Sequence, residues 1–127
     1  MKLNAGIITD KLLETKQFYR DILNFGTTFE NEFYVLLHTP NRQTELSFLL
    51  PNHPTQHSLF HPAFDGKGVF LTIETENVDE EYARISALGI PIVVDLRDES
   101  WGDRHFAIVD PNGIGIDLVT YAPPTEA

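Results

Sequence analysis

The chain of 127 residues is 42% hydrophobic and 22% charged, a composition that indicates one globular domain with a buried core. It has no cysteine, which excludes a disulfide framework, a thiolate metal site and a cysteine nucleophile. Its formal net charge of −10 argues against nucleic acid, whose phosphates require clustered Lys and Arg, and leaves neutral or cationic small molecules as partners. No apolar run reaches the length of a membrane span and no signal-peptide pattern opens the chain. We therefore expect a cytoplasmic protein without a membrane partner.

The first part of the chain predicts a strand, a helix and three more strands. Leu3–Thr9 is a short apolar strand, and Asp10 is placed to cap the free N–H groups of the next helix. The helix lies within Lys11–Leu23, where apolar side chains recur at helical spacing. The three strands that follow are Thr27–Asn31, Phe33–His38 and Glu45–Leu50.

Residues 51–67 differ in composition and predict a linker between two halves. They contain three prolines and three histidines, namely Pro51, Pro54, Pro62, His53, His57 and His61. On a helix the four-residue spacing of the histidines would stack them on one face as a zinc site, but the prolines interrupt such a helix. We therefore expect a solvated loop.

The second part of the chain repeats the order of the first. Val69–Thr75 predicts a strand, and Asn77 with Glu80 resembles a capping box at the start of a helix. Gly89 supplies the C-terminal cap of that helix, and Ile92–Leu96 predicts the strand that follows it.

A β-hairpin completes the second part. Asp110-Pro111-Asn112-Gly113 predicts the turn, with Pro suited to its second position and Gly to its last. The strand before the turn places Phe106 and Ile108 on one face, and His105, Ala107 and Val109 on the other. On the return strand Ile114–Thr120, Asp117 shares a face with Gly115. Asp is a poor strand former, so a carboxylate in this strand indicates a specific requirement for it.

The duplication predicts an α+β fold of two βαβββ modules, residues 1–50 and 68–121, joined by the linker 51–67 within a single domain 1–127. Each module is a small sheet with one helix on one face, and its second face remains to be covered. We expect the two sheets to form one half-open, eight-stranded, cup-shaped sheet with the helices outside and a ligand in the concave interior.

Phe18-Tyr19 and Leu23 on the first helix, the Asp110–Gly113 turn before the last strand and the duplication together resemble the vicinal oxygen chelate superfamily. This superfamily includes glyoxalase I, extradiol dioxygenases, and bleomycin-resistance and fosfomycin-resistance proteins. Residues 96–106, which read LRDESWGDRHF, are similar to a variant common in uncharacterised glyoxalase-like members. The superfamily hosts many chemistries on one scaffold, so the resemblance is more specific for the fold than for the function.

In metal-dependent members of the superfamily, the first, fourth, fifth and eighth strands provide one ligand each. The corresponding positions are Asn4 (or Leu3 with a one-residue gap), Glu45, Phe70 and Asp117. Phe70 stands where a histidine is usual, and no imidazole remains in the set, so the resemblance implies no tight metal site. A weakly held Mg²⁺ or Mn²⁺ on Glu45 and Asp117 is the alternative.

Without a metal, two carboxylates that face one pocket repel each other. Arg104 is the nearest cation in the hairpin, and His105 is a candidate general base near Asp117, but strand alternation leaves open which of the two faces the pocket. Alternatively, Glu45 and Asp117 are remnants that bond to Asn4 or water. Trp101 either stacks on a planar ligand at the mouth of the cup or seals the edge of the core.

The predicted pocket residues are Asn4, Glu45, Phe70, Trp101, Arg104 and Asp117. By resemblance, the leading hypothesis is a homodimeric small-molecule-binding protein of the bleomycin-resistance type. Such a protein would bind a cationic or aromatic organic ligand without turnover, and it would bind a metal weakly or not at all. The alternative is a glyoxalase-like lyase or isomerase that uses a divalent metal on Glu45 and Asp117. A third hypothesis is an interaction domain with a vestigial pocket.

Overall fold

The structure is a computed structural model of the chain, and it describes residues 1–122. The chain divides into two compact units with the boundary between Gly66 and Lys67. The last five residues of the predicted domain lie outside the described part.

The first unit contains a four-stranded sheet and one helix. Its elements are β1 Ala5–Ile8, α1 Leu12–Asp21, β2 Gly26–Glu30, β3 Tyr34–His38 and β4 Glu45–Leu49. The strand order is β1-β4-β3-β2, with β1 parallel to β4 and the other neighbours antiparallel. Tyr19 of α1 is fully buried against Phe48 of β4 and Phe25, with ring centroids 5.2 and 5.5 Å away. This aromatic cluster joins the helix to one face of the sheet.

The second unit repeats this arrangement. Its elements are β5 Phe70–Glu74, α2 Val78–Ala87, β6 Val94–Asp98, β7 Arg104–Val109 and β8 Gly115–Thr120. The strand order β5-β8-β7-β6 matches that of the first unit, with β5 parallel to β8. Tyr82 of α2 packs edge-on against buried Phe106 of β7 at 5.3 Å. The predicted α+β class with two βαβββ modules is therefore confirmed.

The two helix starts differ in how they are capped. Asn77 accepts a hydrogen bond from the Glu80 N–H at 3.1 Å, which confirms the predicted cap of α2. The predicted cap of α1 is wrong, because Lys11 rather than Asp10 occupies the cap position and makes no side-chain cap bond. The hydroxyl of Thr9 accepts from the Lys11 N–H instead, at 3.0 Å.

Residues 51–66 of the predicted linker are part of the first unit. Asn52 N–H donates to the His61 carbonyl at 3.1 Å, and Phe64 N–H donates to the Ile8 carbonyl at 2.8 Å. A short 3₁₀ helix covers Ser58–Phe60, and the His57 ring caps it by accepting from Leu59 N–H. The histidines of this segment therefore make local bonds that hold its backbone.

One strand of the second unit is displaced from its predicted position. The prediction was Ile92–Leu96, whereas β6 covers Val94–Asp98. An irregularity between Val94 and Arg97 inserts an extra residue opposite β7, and Asp95 at this bulge accepts a hydrogen bond from the Tyr82 hydroxyl at 2.6 Å.

Candidate functional site

Asp117 lies on the face of the second sheet that is turned away from α2. Its direct neighbours are Thr72 on β5 and Ala107 on β7, while the residues on either side of it in β8, Ile116 and Leu118, are buried in the core. Alternation along the strand therefore directs Asp117 away from the helix. We call this surface the Asp117 face; it comprises Phe70, Thr72, His105, Ala107, Gly115 and Asp117.

His105 shares this face and bonds Asp117 directly. Its Nδ1 lies 2.6 Å from Oδ1 of Asp117, across the pair of strands β7 and β8. An ionised carboxylate can only accept, so Nδ1 carries the hydrogen and donates it. This bond raises the pKa of His105 above its ordinary value, with partial burial opposing and Glu99 adding to the effect.

Glu99 approaches the other nitrogen of the same ring. Its Oε1 lies 3.5 Å from Nε2 of His105, and only 10% of the Glu99 side chain is exposed. Both atoms are buried; Nε2 makes no hydrogen bond within the described residues, whereas Oε1 is the atom that pairs with Nε of Arg97. Arg97, next to His105 in the register of β6 and β7, forms an ion pair with Glu99. The ring of His105 is thus enclosed by two carboxylates, one at each nitrogen.

Arg104 does not join the Asp117 face. It lies on the helix side of β7, where its guanidinium bonds Asp79 of α2 at 2.9 Å and approaches Asp98 of β6 at 3.2 Å. These hydrogen bonds raise the pKa of Arg104 and lower the pKa of Asp79. Strand alternation left open whether Arg104 or His105 lies beside Asp117. The register of β7 and β8 shows that it is His105.

The Asp117 face also carries an exposed aromatic ring. Phe70 is 71% exposed and pairs with Gly115 in the register of β5 and β8. A Cβ at Gly115 would lie 4.0 Å from that of Phe70, so the glycine leaves room beside the ring and beside Asp117. The ring of Phe70 therefore presents a flat apolar surface on the same face as the Asp117 carboxylate.

Trp101 is 67% exposed and lies in the turn between β6 and β7. Its Nε1 donates to Oδ2 of Asp103 at 2.9 Å, while Oδ1 of Asp103 accepts from the Ala122 N–H at 3.2 Å. The indole is therefore held in place while its surface stays open to solvent. This arrangement suits a stacking surface better than a seal on the core.

In the first unit, Asn4 and Glu45 occupy positions that do not match that of Asp117. Gly6 pairs with Ser47 as Thr72 pairs with Asp117, and Gly6 and Thr72 stand at the same distance before their helices. Ser47 is therefore the counterpart of Asp117. Two residues earlier, Glu45 is the counterpart of Gly115, and Asn4 is the counterpart of Phe70. Glu45 lies 3.9 Å from the Lys2 ammonium.

The residues at the implied ligand positions do not fit a metal ion. Phe70 has no donor atom, and none of the four positions carries an imidazole. His105 lies between Glu99 and Asp117, so these carboxylates meet opposite ring nitrogens rather than one point. Across residues 1–122, no group of three or more His, Asp or Glu side chains is arranged to hold a metal.

Glu99 was absent from the predicted site, and His105 had only an open role in it. For His105 a signal existed: the Asp110–Gly113 turn pairs Val109 with Gly115, and counting back from it pairs Ala107 with Asp117. Residues two apart on a strand share a face, which places His105 with Asp117. For Glu99 no such signal existed, because the bulge in β6 shifts its alternation.

Comparisons with known proteins show which fold this is. The chain is 19% identical to lactoylglutathione lyase from Agrobacterium tumefaciens, with 94% of this chain and 92% of that one covered and a TM-score of 0.77. It is 20% identical to a bleomycin resistance determinant encoded on the transposon Tn5, with 97% and 99% covered and a TM-score of 0.71. For a bleomycin-binding protein complexed with bleomycin, the identity is 18%, the coverage 96% and 99%, and the TM-score 0.67.

A comparison with curated proteins found no match. Among the described residues, neither helix is long and apolar enough to cross a membrane. The family model of the Glyoxalase/Bleomycin resistance protein/Dioxygenase superfamily matches residues 3–118, and the chain belongs to this superfamily.

Proposed function

We propose that the protein binds a small organic molecule on the Asp117 face without a metal ion. The observation that carries this proposal is the exposed ring of Phe70 beside Gly115, with the carboxylate of Asp117 on the same face. A flat ligand would stack on Phe70 and donate an N–H or O–H to Asp117. The solved complex of a similar protein with bleomycin supports a ligand-binding role for this fold.

The ligand that suits this face is aromatic and carries a cationic or hydrogen-bond-donating group. Oδ1 of Asp117 accepts a hydrogen bond from His105, whereas Oδ2 accepts none within residues 1–122. The Asp117 side chain is 32% exposed. A charged acceptor bonds a cation or N–H donor more strongly than a neutral acceptor does. Trp101 offers a second stacking surface for larger ligands.

Benzamidine is a suitable probe because it joins a flat ring to an amidinium, and benzamide is its uncharged counterpart. Calorimetric titration should detect benzamidine binding, and Phe70→Ala and Asp117→Asn should each weaken it about tenfold or more. Glu76→Gln, which removes an exposed charge outside the face, is the matched control. Equal binding by the native protein and both variants would contradict the proposed site.

The second candidate is a glyoxalase-like lyase or isomerase, favoured by the fold shared with lactoylglutathione lyase. It would need a divalent ion on Glu45 and Asp117, and the absence of an imidazole ligand, with Phe70 at one of the positions, weighs against this. Turnover of a hemithioacetal that requires added metal and is lost in Asp117→Asn would establish the lyase instead.

We also propose, from the resemblance, that the protein is a homodimer. The chain has a mass of 14.4 kDa, and light scattering after size exclusion should give twice that value. A monomeric mass at all concentrations would contradict this part of the proposal.

A further inference from the structure

Asp117 stands at the eighth-strand position, yet its carboxylate is already engaged inside the sheet. Nδ1 of His105 donates to Oδ1 at 2.6 Å, within the range for a strong bond between a charged and a polar group. The carboxylate keeps further lone pairs, and Oδ2 accepts no hydrogen bond within residues 1–122. The hydrogen bond therefore orients the carboxylate and leaves Oδ2 able to accept from a ligand.

Glu99 lies on the other side of the His105 ring, next to Nε2. The Glu99 side chain is nine-tenths buried, and its Oε1 lies 3.5 Å from Nε2. Both atoms are buried, and Nε2 makes no hydrogen bond within the described residues. Arg97 anchors Glu99 in turn through its ion pair. The ring of His105 is thus hydrogen-bonded at Nδ1 and faces a buried carboxylate at Nε2.

Two positions matched by register or by resemblance offer a metal ion no suitable ligand. Ser47, the counterpart of Asp117 in the first unit, is buried and donates to the Ala5 carbonyl at 3.4 Å. Phe70 supplies no donor atom at the fifth-strand position. What remains at the eighth strand is one carboxylate with an imidazole as its fixed partner.

We infer that His105 is a positioning residue that fixes Asp117 as a hydrogen-bond acceptor in a metal-free site. Its Nδ1–H orients the carboxylate so that Oδ2 is presented on the Asp117 face to an N–H or O–H group of an organic ligand. The ligand part of this inference rests on the proposed function, whereas the part that concerns Asp117 and His105 does not.

The first test needs no ligand. Long-range proton–nitrogen NMR spectra of the histidine rings should show His105 with hydrogen on Nδ1, and titration with Zn²⁺, Ni²⁺ or Mn²⁺ should leave its signals in place. The protein, purified without chelator, should carry no stoichiometric ion by elemental analysis. A bound ion that perturbs the His105 signals and is lost in Asp117→Asn would overturn the inference.

The second test separates orientation from general stability. His105→Asn places an amide N–H near the position of Nδ1, whereas His105→Ala removes the donor. Benzamidine affinity should fall about tenfold or more in His105→Ala and stay within about threefold of the native value in His105→Asn. Equal losses in both variants, with both folded by circular dichroism, would contradict a positioning role.

The two tests also distinguish failure of the inference from failure of the proposed function. If no probe binds, while His105 keeps its Nδ1 hydrogen and its NMR signals do not change with metal ions, the proposed function fails and the assignment of His105 stands. If benzamidine binds only together with a divalent ion, ligand binding stands and the inference fails.

Discussion

His105 and Asp117 form a diagonal pair across β7 and β8, with Nδ1 of the imidazole 2.6 Å from Oδ1 of the carboxylate. His105 pairs in register with Val119, and Asp117 pairs with Ala107, so the two polar side chains reach toward each other along the face. The bond couples the charge of the face to the protonation of one histidine.

This coupling predicts a specific pH dependence of stability. The pKa of His105 in the folded protein is raised above its ordinary value of 6.5, chiefly by the hydrogen bond to Asp117. A raised pKa stabilises the fold fully below the unfolded pKa, and this contribution is lost as the pH rises through the folded pKa. The difference in the free energy of unfolding between native protein and His105→Ala should therefore be larger at about pH 6 than at about pH 9. Urea unfolding at both values measures it, and a difference that grows with pH would refute the coupling.

Phe70→Ala should leave stability nearly unchanged while it weakens ligand binding. The ring is 71% exposed, so its removal should alter the free energy of unfolding by at most about 0.5 kcal/mol. Phe106→Ala, at a fully buried position, should cost about 3–5 kcal/mol. Urea unfolding of the two variants makes the comparison. Leu88→Ala, at another exposed apolar position, controls for general loss of surface area and should retain benzamidine binding.

Two glycines of the last hairpin should respond in opposite ways to alanine. At Gly115 the new Cβ meets Phe70 only at 4.0 Å, and we expect no loss of stability. Gly113 has φ of +82° at the end of the turn, where alanine should cost about 1 kcal/mol or more. Thermal unfolding compares the two variants. A larger loss at Gly115 would show that the space beside Phe70 is needed for the fold rather than for a ligand.

Arg104→Gln should weaken the contact between β7 and the start of α2 without changing the affinity for benzamidine. The guanidinium bonds Asp79 and Asp98 on the helix side of the sheet, away from Asp117. Because this ion pair is exposed, its contribution to stability should diminish at high salt. Unfolding and calorimetric titrations at low and high salt measure both effects, and loss of ligand binding would place Arg104 in the site after all.

Much of the fold was predictable because its local signals act over a few residues. Asn77 and Gly89 mark the ends of α2, and the Asp110 carboxylate accepts from Asn112 and Ile114 N–H groups within the predicted turn. The cap of α1 was not predicted correctly, because the cap position falls on Lys11, one residue after Asp10. A choice between two adjacent polar residues depends on backbone geometry that composition does not encode.

The candidate site was predictable only in part, for a reason that lies in strand register. The faces of Asp117 and Phe70 follow from alternation, and that of His105 follows from the hairpin turn. Glu99 follows a bulge in β6, and one extra residue reverses which side chains point to which face. Register also decides whether Glu45 or Ser47 is the counterpart of Asp117. The assignment to Ser47 requires the observed pairing of β1 with β4, which the sequence does not give.

The central claim is that the Asp117 face binds an organic ligand, and an amide-resolved NMR titration with benzamidine tests it most directly. The account predicts saturable shift changes that cluster at Phe70, Gly115 and Asp117 and that disappear in Phe70→Ala. Absence of any shift change, or changes confined to residues away from these strands, would contradict it.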